Sequence, residues 1–339
     1  MQPKTHLLSE EIKKFRTDAE PHHRDITAIC GKSSDLKQVL PGDTRLIIET
    51  TGSNAVRELL ADLPSRNLSG RILHAGLYQG GQIGLMAIEG RDRNPNLSDL
   101  TVQFHDLRID HKDIRSRFRA SSDAITRQGT GQGCGSHTMV MPDTRISMYT
   151  AGMAERARRV LEVDAGDNGE LWVGLLESNG IQVSWQQFQS GTTEVLRTKA
   201  KNEWEIRILK KAWDQIGKEA KEYGKIETGG VLIGRIFLTR RCITISGVIE
   251  APPDSIRSPG SFLLGTEGLI SKIKDIHDKT EGYLNYIGTW HSHPRGGGAS
   301  GMDRDCLERM KKIRLGAPAV GLIWTPTGFK TLIDEGKLS

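Results

Sequence analysis

GTWHSHPRGGGASGMD, residues 288–303, is the stretch of this sequence that carries the most chemistry. The residues before it, YIGTWHSHP (286–294), read as a strand. In a strand successive side chains alternate between faces, so His291 and His293, two apart, present both imidazoles on one side. Two neutral imidazoles and one carboxylate form a normal catalytic Zn²⁺ set that leaves a fourth position for water. Asp303 can supply the carboxylate. Gly296, Gly297 and Gly298 let the chain fold back so that the start of the next helix faces the strand end. Ser300-Gly-Met-Asp303 also has the form of a capping box, in which Ser300 caps a helix and Asp303 bonds back to the cap's own N–H. Both readings of Asp303 stay open at this level.

Working outward, the second half reads as an α/β unit. EWEIRILKKAWDQIGKEAKE (203–222) has Ile206, Leu209, Trp213 and Ile216 on one face, which predicts a helix. TGGVLIGRIF (228–237) and CITISGVIEA (242–251) read as strands, and EGLISKIKDIHDKT (267–280) as a helix. DRDCLERMKKI (303–313) is a helix between the His strand and the closing strands AVGLIWT (319–325) and FKTLI (329–333).

With these residues in view, the run resembles the JAMM (MPN+) metalloprotease signature: an upstream Glu, then His-Ser-His-Pro, then Ser-x-x-Asp. Glu227 in KIETGGVLIGR supplies the upstream Glu. The resemblance covers roughly residues 200–339. It implies an α/β domain, a mixed sheet with flanking helices, with Zn²⁺ held by His291, His293 and Asp303. It further implies Glu227 as general base and Ser300 as hydrogen-bond donor to the oxyanion. No chemistry is assigned to Ser292 and Pro294, which shape the strand end. Six residues, 294–299, separate His293 from Ser300, one fewer than the family pattern. This makes Asp305 a competitor for the third ligand, with Asp303 favoured by its Ser-x-x-Asp spacing.

The first half carries a second resemblance. RLIIETTG (45–52), SNAVRELLADL (53–63), GRILHAGLY (70–78) and QIGLMAIEG (82–90) read as strand, helix, strand, strand. Ser53 or Asn54 stands at the helix N-cap. The segment is similar to part of the ThiF-type fold of ubiquitin-activating enzymes. That fold normally opens on a G-x-G-x-x-G nucleotide loop, and nothing before residue 45 has that pattern. The expectation is therefore an incomplete ThiF-type α/β domain, residues 1–195, without an ATP site, followed by the JAMM domain, residues 200–339. By the same resemblance GCGSHT places Cys134 where such enzymes carry a thioester-forming cysteine. A free thiol in a glycine turn explains Cys134 equally well. A helix from Asp143 to Leu161 and a hairpin over 170–188 follow, and 189–202 is the expected boundary. Near the N-terminus, residues 8–17 read as a short helix with Ser9 at its cap.

The pairing of the two resemblances is similar to bacterial ubiquitin-like conjugation fusions. It implies a zinc isopeptidase or C-terminal processing protease whose partners are a ubiquitin-like protein, its conjugates and a cognate conjugating enzyme. Two other classes stand beside it: a non-catalytic MPN scaffold, and a thioester carrier through Cys134 working with a separate adenylating subunit.

Composition is consistent with a soluble chain. Of 339 residues, 36% are hydrophobic and 26% charged, with a net charge of +5. Lys and Arg form no block that would point to nucleic acid. No run approaches the ~18 apolar residues that span a bilayer, and the N-terminus lacks a signal-peptide pattern, so a cytoplasmic location is expected. Cys30, Cys134, Cys242 and Cys306 are too scattered for a disulfide framework or an all-cysteine metal site.

Overall fold

The computed structural model describes residues 4–15, 22, 39–40, 42–63, 70–119, 127–129, 137–139, 141–162, 166–198, 203–313 and 317–334. In chain order the first half contains α1 (Lys4–Lys13), β1 (Leu46–Glu49), α2 (Asn54–Asp62), β2 (Arg71–Tyr78), β3 (Ile83–Ile88) and α3 (Leu97–Asp110). There follow α4 (Lys112–Arg119), β4 (Arg127–Gly129), β5 (His137–Met139), α5 (Asp143–Glu162), β6 (Gly169–Leu176) and β7 (Val183–Ser190). The second half contains β8 (Glu194–Arg197), β9 (Glu205–Ile208), α6 (Lys210–Tyr223), β10 (Gly229–Phe237), β11 (Cys242–Glu250), β12 (Ile256–Ser258) and β13 (Ser261–Leu263). It closes with α7 (Leu269–Lys279), β14 (Asn285–Ser292), α8 (Gly301–Ile313), β15 (Ala319–Thr325) and β16 (Gly328–Asp334).

Among the described residues the strands form two large mixed sheets and two small two-stranded ones, β4-β5 and β12-β13, so both halves are α/β. The first runs β1-β2-β3-β6-β7, with β1 parallel to β2 across α2 and the other neighbours antiparallel. Its core gathers Val56 and Leu60 of α2, Ile72, Ile83 and Leu85 of the sheet, and Leu100 and Phe104 of α3. The second runs β16-β15-β14-β10-β11-β9-β8 and packs on α6 through Ile216, Leu232, Ile245 and Trp290. The chain leaves the first sheet at Ser190 and enters the second at Glu194.

Two local expectations need correction. The predicted helix over 203–222 is a strand, β9, followed by α6. Ile206 and Ile208 are fully buried beside β11, while Arg207 between them points the other way, an alternation that a strand delivers and a helix does not. The N-terminal helix spans Lys4–Lys13, which puts Ser9 inside it rather than at a cap. Helix α3 has no counterpart among the expected elements, since periodicity alone does not announce it. Its start is written in a capping box: Asn96 accepts the Asp99 N–H at 3.0 Å and Asp99 accepts the Asn96 N–H at 3.1 Å.

Helix α3 joins the two halves. Its Val102 is fully buried in a cluster with Leu209, Val231, Ile233, Ile249 and Leu284 from the second half. Both oxygens of Asp99, besides capping the helix, receive Arg207: Nε at 2.8 Å and Nη2 at 2.7 Å. His105 stacks on Tyr283, with ring centroids 3.6 Å apart and planes 10° from parallel. Arg108 donates to the Thr280 carbonyl and pairs with Glu281 at 3.0 Å. No described helix is long and apolar enough to cross a membrane.

Candidate metal centre

The site is built at one end of β14, a strand flanked on both sides by close backbone neighbours. Antiparallel pairing sets Gly229 of β10 opposite His291 and Gly230 opposite Trp290. Neither glycine has room for a side chain. A Cβ on Gly229 would collide with the Trp290 carbonyl and the Phe262 ring, and one on Gly230 with the Ile249 carbonyl. The Gly-Gly pair thus lets the fully buried Trp290 anchor β14 against the core. Beyond the strand end the His293 N–H donates to the Trp324 carbonyl at 2.8 Å, which holds the second histidine to β15. The chain then turns: the Gly296 N–H donates to the His293 carbonyl at 2.9 Å. Gly296 and Gly297 take φ of 77° and 108°, values that favour glycine. The Lys330 ammonium donates to the Gly297 carbonyl and tethers the loop to β16.

This turn delivers the start of α8 to the histidines. His291 Nε2 lies 2.9 Å from His293 Nε2 and 3.1 Å from Asp303 Oδ1, and His293 Nε2 lies 3.7 Å from Asp303 Oδ2. The Ser300–Asp303 capping box is formed as well. The Ser300 N–H donates to Asp303 Oδ2 at 2.6 Å, and the Asp303 N–H donates to Ser300 Oγ at 3.2 Å. The two readings of Asp303 are therefore compatible, since one carboxylate caps the helix and faces both imidazoles. The shorter loop still closes, and Asp305, two residues on, is exposed.

Electrostatics suit a cation. Burial holds His291 down to about 4 against the pull of Asp303, so its imidazole is neutral at physiological pH with a lone pair to donate. Burial pushes Asp303 up, but the Ser300 hydrogen bonds and the two imidazoles outweigh it and hold the carboxyl below its usual range. Three donor atoms of the N, N, O type that zinc favours converge here. Their separations bracket the roughly 3.3 Å expected between ligands of a tetrahedral ion with ~2.05 Å bonds. Among the described residues this is the one such cluster of three.

Glu227 precedes β10, and continuing the strand register sets it across from His293. It is half-buried; burial raises its pKa, with His293 and Arg295 pulling down and Asp303 pushing up. Its backbone N–H donates to the Ser258 carbonyl of β12 at 2.9 Å. The next residue, Thr228, is fully buried. The Thr228 N–H donates to Ser292 Oγ at 3.0 Å, and the Ser292 N–H donates back to the Thr228 carbonyl at 2.7 Å. Ser292 thus stitches the segment carrying Glu227 to the strand carrying the histidines. Cys134 lies outside the described residues, as does Cys30. Cys242 is buried and Cys306 exposed.

Sequence reasoning passed over Glu219, which lies behind this site on α6. It is 9% exposed, and its Oε1 accepts the Thr228 hydroxyl at 3.1 Å. The signal was available. The apolar spacing Leu209, Trp213, Ile216 runs on to Glu219 and Ala220, so a carboxylate sits where the period calls for a hydrophobe.

Residues 209–329 match the family described as prokaryotic homologs of the JAB domain. A protein of Enterobacter hormaechei subsp. hoffmannii named "CD-NTase/cGAS isopeptidase" is 30% identical over 127 residues, covering 34% of this chain and 69% of the relative. The chain belongs to the prokaryotic JAB-domain family. A second relative, "Probable metalloprotease y4qB" of Sinorhizobium fredii, is 34% identical over 93 residues, covering 26% of this chain and 56% of that protein. Glu227, His291, His293, Ser300 and Asp303 all fall inside the JAB match, whereas the first sheet lies outside it. The similarity supports a peptidase-like function and a metal at the site.

Proposed function

We propose that this chain is a zinc-dependent isopeptidase or C-terminal processing protease acting on a ubiquitin-like protein in a bacterial conjugation pathway. The observation that carries the reading is the convergence of His291, His293 and Asp303 at 2.9–3.7 Å beside a half-buried Glu227. His291, His293 and Asp303 would hold the ion. When bound, Zn²⁺ in such a set supplies Lewis acidity with an open position at neutral pH. Glu227, its pKa raised by burial, takes the proton of the attacking water and returns it to the leaving amine. Ser300 Oγ accepts the Asp303 N–H, which leaves the hydroxyl hydrogen to donate to the oxyanion formed on the substrate, a contribution of about 3 kcal/mol.

The scissile partner is inferred from the fusion and from the name of the Enterobacter relative. In this reading residues 1–195 are a partial ThiF-like domain that docks the ubiquitin-like protein or its cognate conjugating enzyme, and residues 200–339 are the JAMM domain that cuts.

The test is incubation with ubiquitin-like fusions from the same operon, with and without a zinc chelator, beside Glu227→Gln. Cleavage that needs zinc and is lost in Glu227→Gln with metal retained is expected. Full activity of that variant overturns the assignment, and an intact chain that binds no zinc favours a scaffold.

A further inference from the structure

We propose that Glu219 is a positioning residue for the general base, acting through Thr228; the catalytic part of this inference rests on the function proposed above. Side chains alternate at the entry to β10, so Glu227 faces the histidines while Thr228 faces α6. The Thr228 hydroxyl has one hydrogen and lends it to Glu219 Oε1 at 3.1 Å. Its lone pair then accepts Nε–H of Arg257 at 3.2 Å. Arg257 lies over the Tyr223 ring, 4.8 Å from its centroid, and belongs to β12. The next residue of β12, Ser258, accepts the Glu227 N–H at 2.9 Å.

These contacts close a ring of Thr228, Arg257, Ser258 and Glu227, back along the chain to Thr228, with Glu219 attached to it at Thr228. On its other side Thr228 is fastened to Ser292 by two hydrogen bonds, so the backbone of the general base is gripped from both flanks. The acceptor attached to the ring is costly. Glu219 sits on the buried face of α6 with Ile216 and Ala220, and its Oε2 is buried without a hydrogen-bond partner among the described residues. Glu250 and Glu222 add like charge around it, and the Thr228 hydrogen bond and Arg257 oppose them. A carboxylate in such a place does little for folding, whereas it fixes which way the Thr228 hydroxyl points.

The experiment compares Glu219→Ala, Glu219→Gln and Thr228→Val. Zn²⁺ binding is measured by titration with the metal alone. Amide hydrogen exchange is followed at Glu227 and Thr228, and kcat and KM are measured on a ubiquitin-like protein bearing a C-terminal aminocoumarin amide. In Glu219→Ala and Thr228→Val, exchange at Glu227 and Thr228 should rise and kcat fall about 10- to 100-fold, with KM and zinc binding unchanged. Glu219→Gln, which keeps an acceptor oxygen, should restore both. Unchanged exchange at Glu227 and Thr228 in both deletion variants overturns the proposal, as does a loss confined to KM. If the wild-type chain leaves the probe intact, the functional reading fails, and the exchange data still decide whether Glu219 positions residue 227.

Discussion

His291 and His293 turn their Nε2 atoms toward each other at 2.9 Å, with an Asp303 oxygen 3.1 Å from the first. Two lone pairs at that distance repel unless a proton or a cation lies between them. One equivalent of Zn²⁺ per chain is therefore expected in metal analysis of protein purified without chelator. Saturating zinc should raise unfolding stability by about 3 kcal/mol at 100-fold excess over Kd. His293→Ala should abolish that gain, and a zinc-independent melting curve for the wild type would count against the site.

The two readings of the α8 start separate by mutation. Ser300→Ala should cost about 1 kcal/mol of stability as a lost helix cap, and a further 10²- to 10³-fold in kcat if its hydroxyl meets the oxyanion. Asp303→Asn should remove tight zinc binding. Asp305→Asn, at an exposed position, should change neither zinc binding nor stability by more than about 0.5 kcal/mol. Calorimetric zinc titration of the three variants checks the set.

The metal-free chain should show two opposed pH dependences. Burial holds His291 at about 4 against an ordinary 6.5, so between those values the native state binds fewer protons than the unfolded one. That contribution to stability grows as pH rises and is lost as pH falls through the window. Burial holds Glu219 at about 7 against 4.5, so there the native state binds more protons and stability declines as pH rises. Each effect is worth up to about 3 kcal/mol, and in the wild type they largely cancel. Glu219→Gln should unmask the rising slope and His291→Gln the falling one. Urea unfolding from pH 4 to 8 with EDTA present measures both.

Asp99→Ala should be among the most damaging substitutions far from the metal. It removes half of a capping box and leaves Arg207, 8% exposed, without its bidentate partner. Arg207 keeps Glu205, 2.7 Å from its Nη1, so the cost stays below the roughly 3–5 kcal/mol of a fully unpaired buried charge, at about 2–3 kcal/mol. Chemical unfolding should show the loss, with the first and second halves still melting together.

Much of the site was legible because its grammar is local. Strand alternation puts His291 and His293 on one face, the glycines permit the return, and Ser300-x-x-Asp303 marks a helix start. The contest between Asp303 and Asp305 was not legible, since it turns on whether a shortened loop closes, and that depends on the φ values of Gly296 and Gly297 and the Lys330 tether. Helix α3 was missed because a helix buried on several faces carries little amphipathic rhythm. Its Asn96-x-x-Asp99 box was the better clue. Strand β9 was misread because Ile206, Leu209, Trp213 and Ile216 keep helical spacing across a strand and a helix alike. Glu219 matters through Thr228 and Arg257, partners 9 and 38 positions further along the chain, and such a link has no signature in a linear reading.

The Asp99–Arg207 joint also fixes a length. With Val102 and the His105–Tyr283 stack, it ties the first sheet, through α3, to the sheet whose β14 carries His291. In the proposed reading, a partner docked on the first sheet would meet the histidines at a set span, so the chain would act as a calliper, gauging the reach of a tail as well as the residues at its tip.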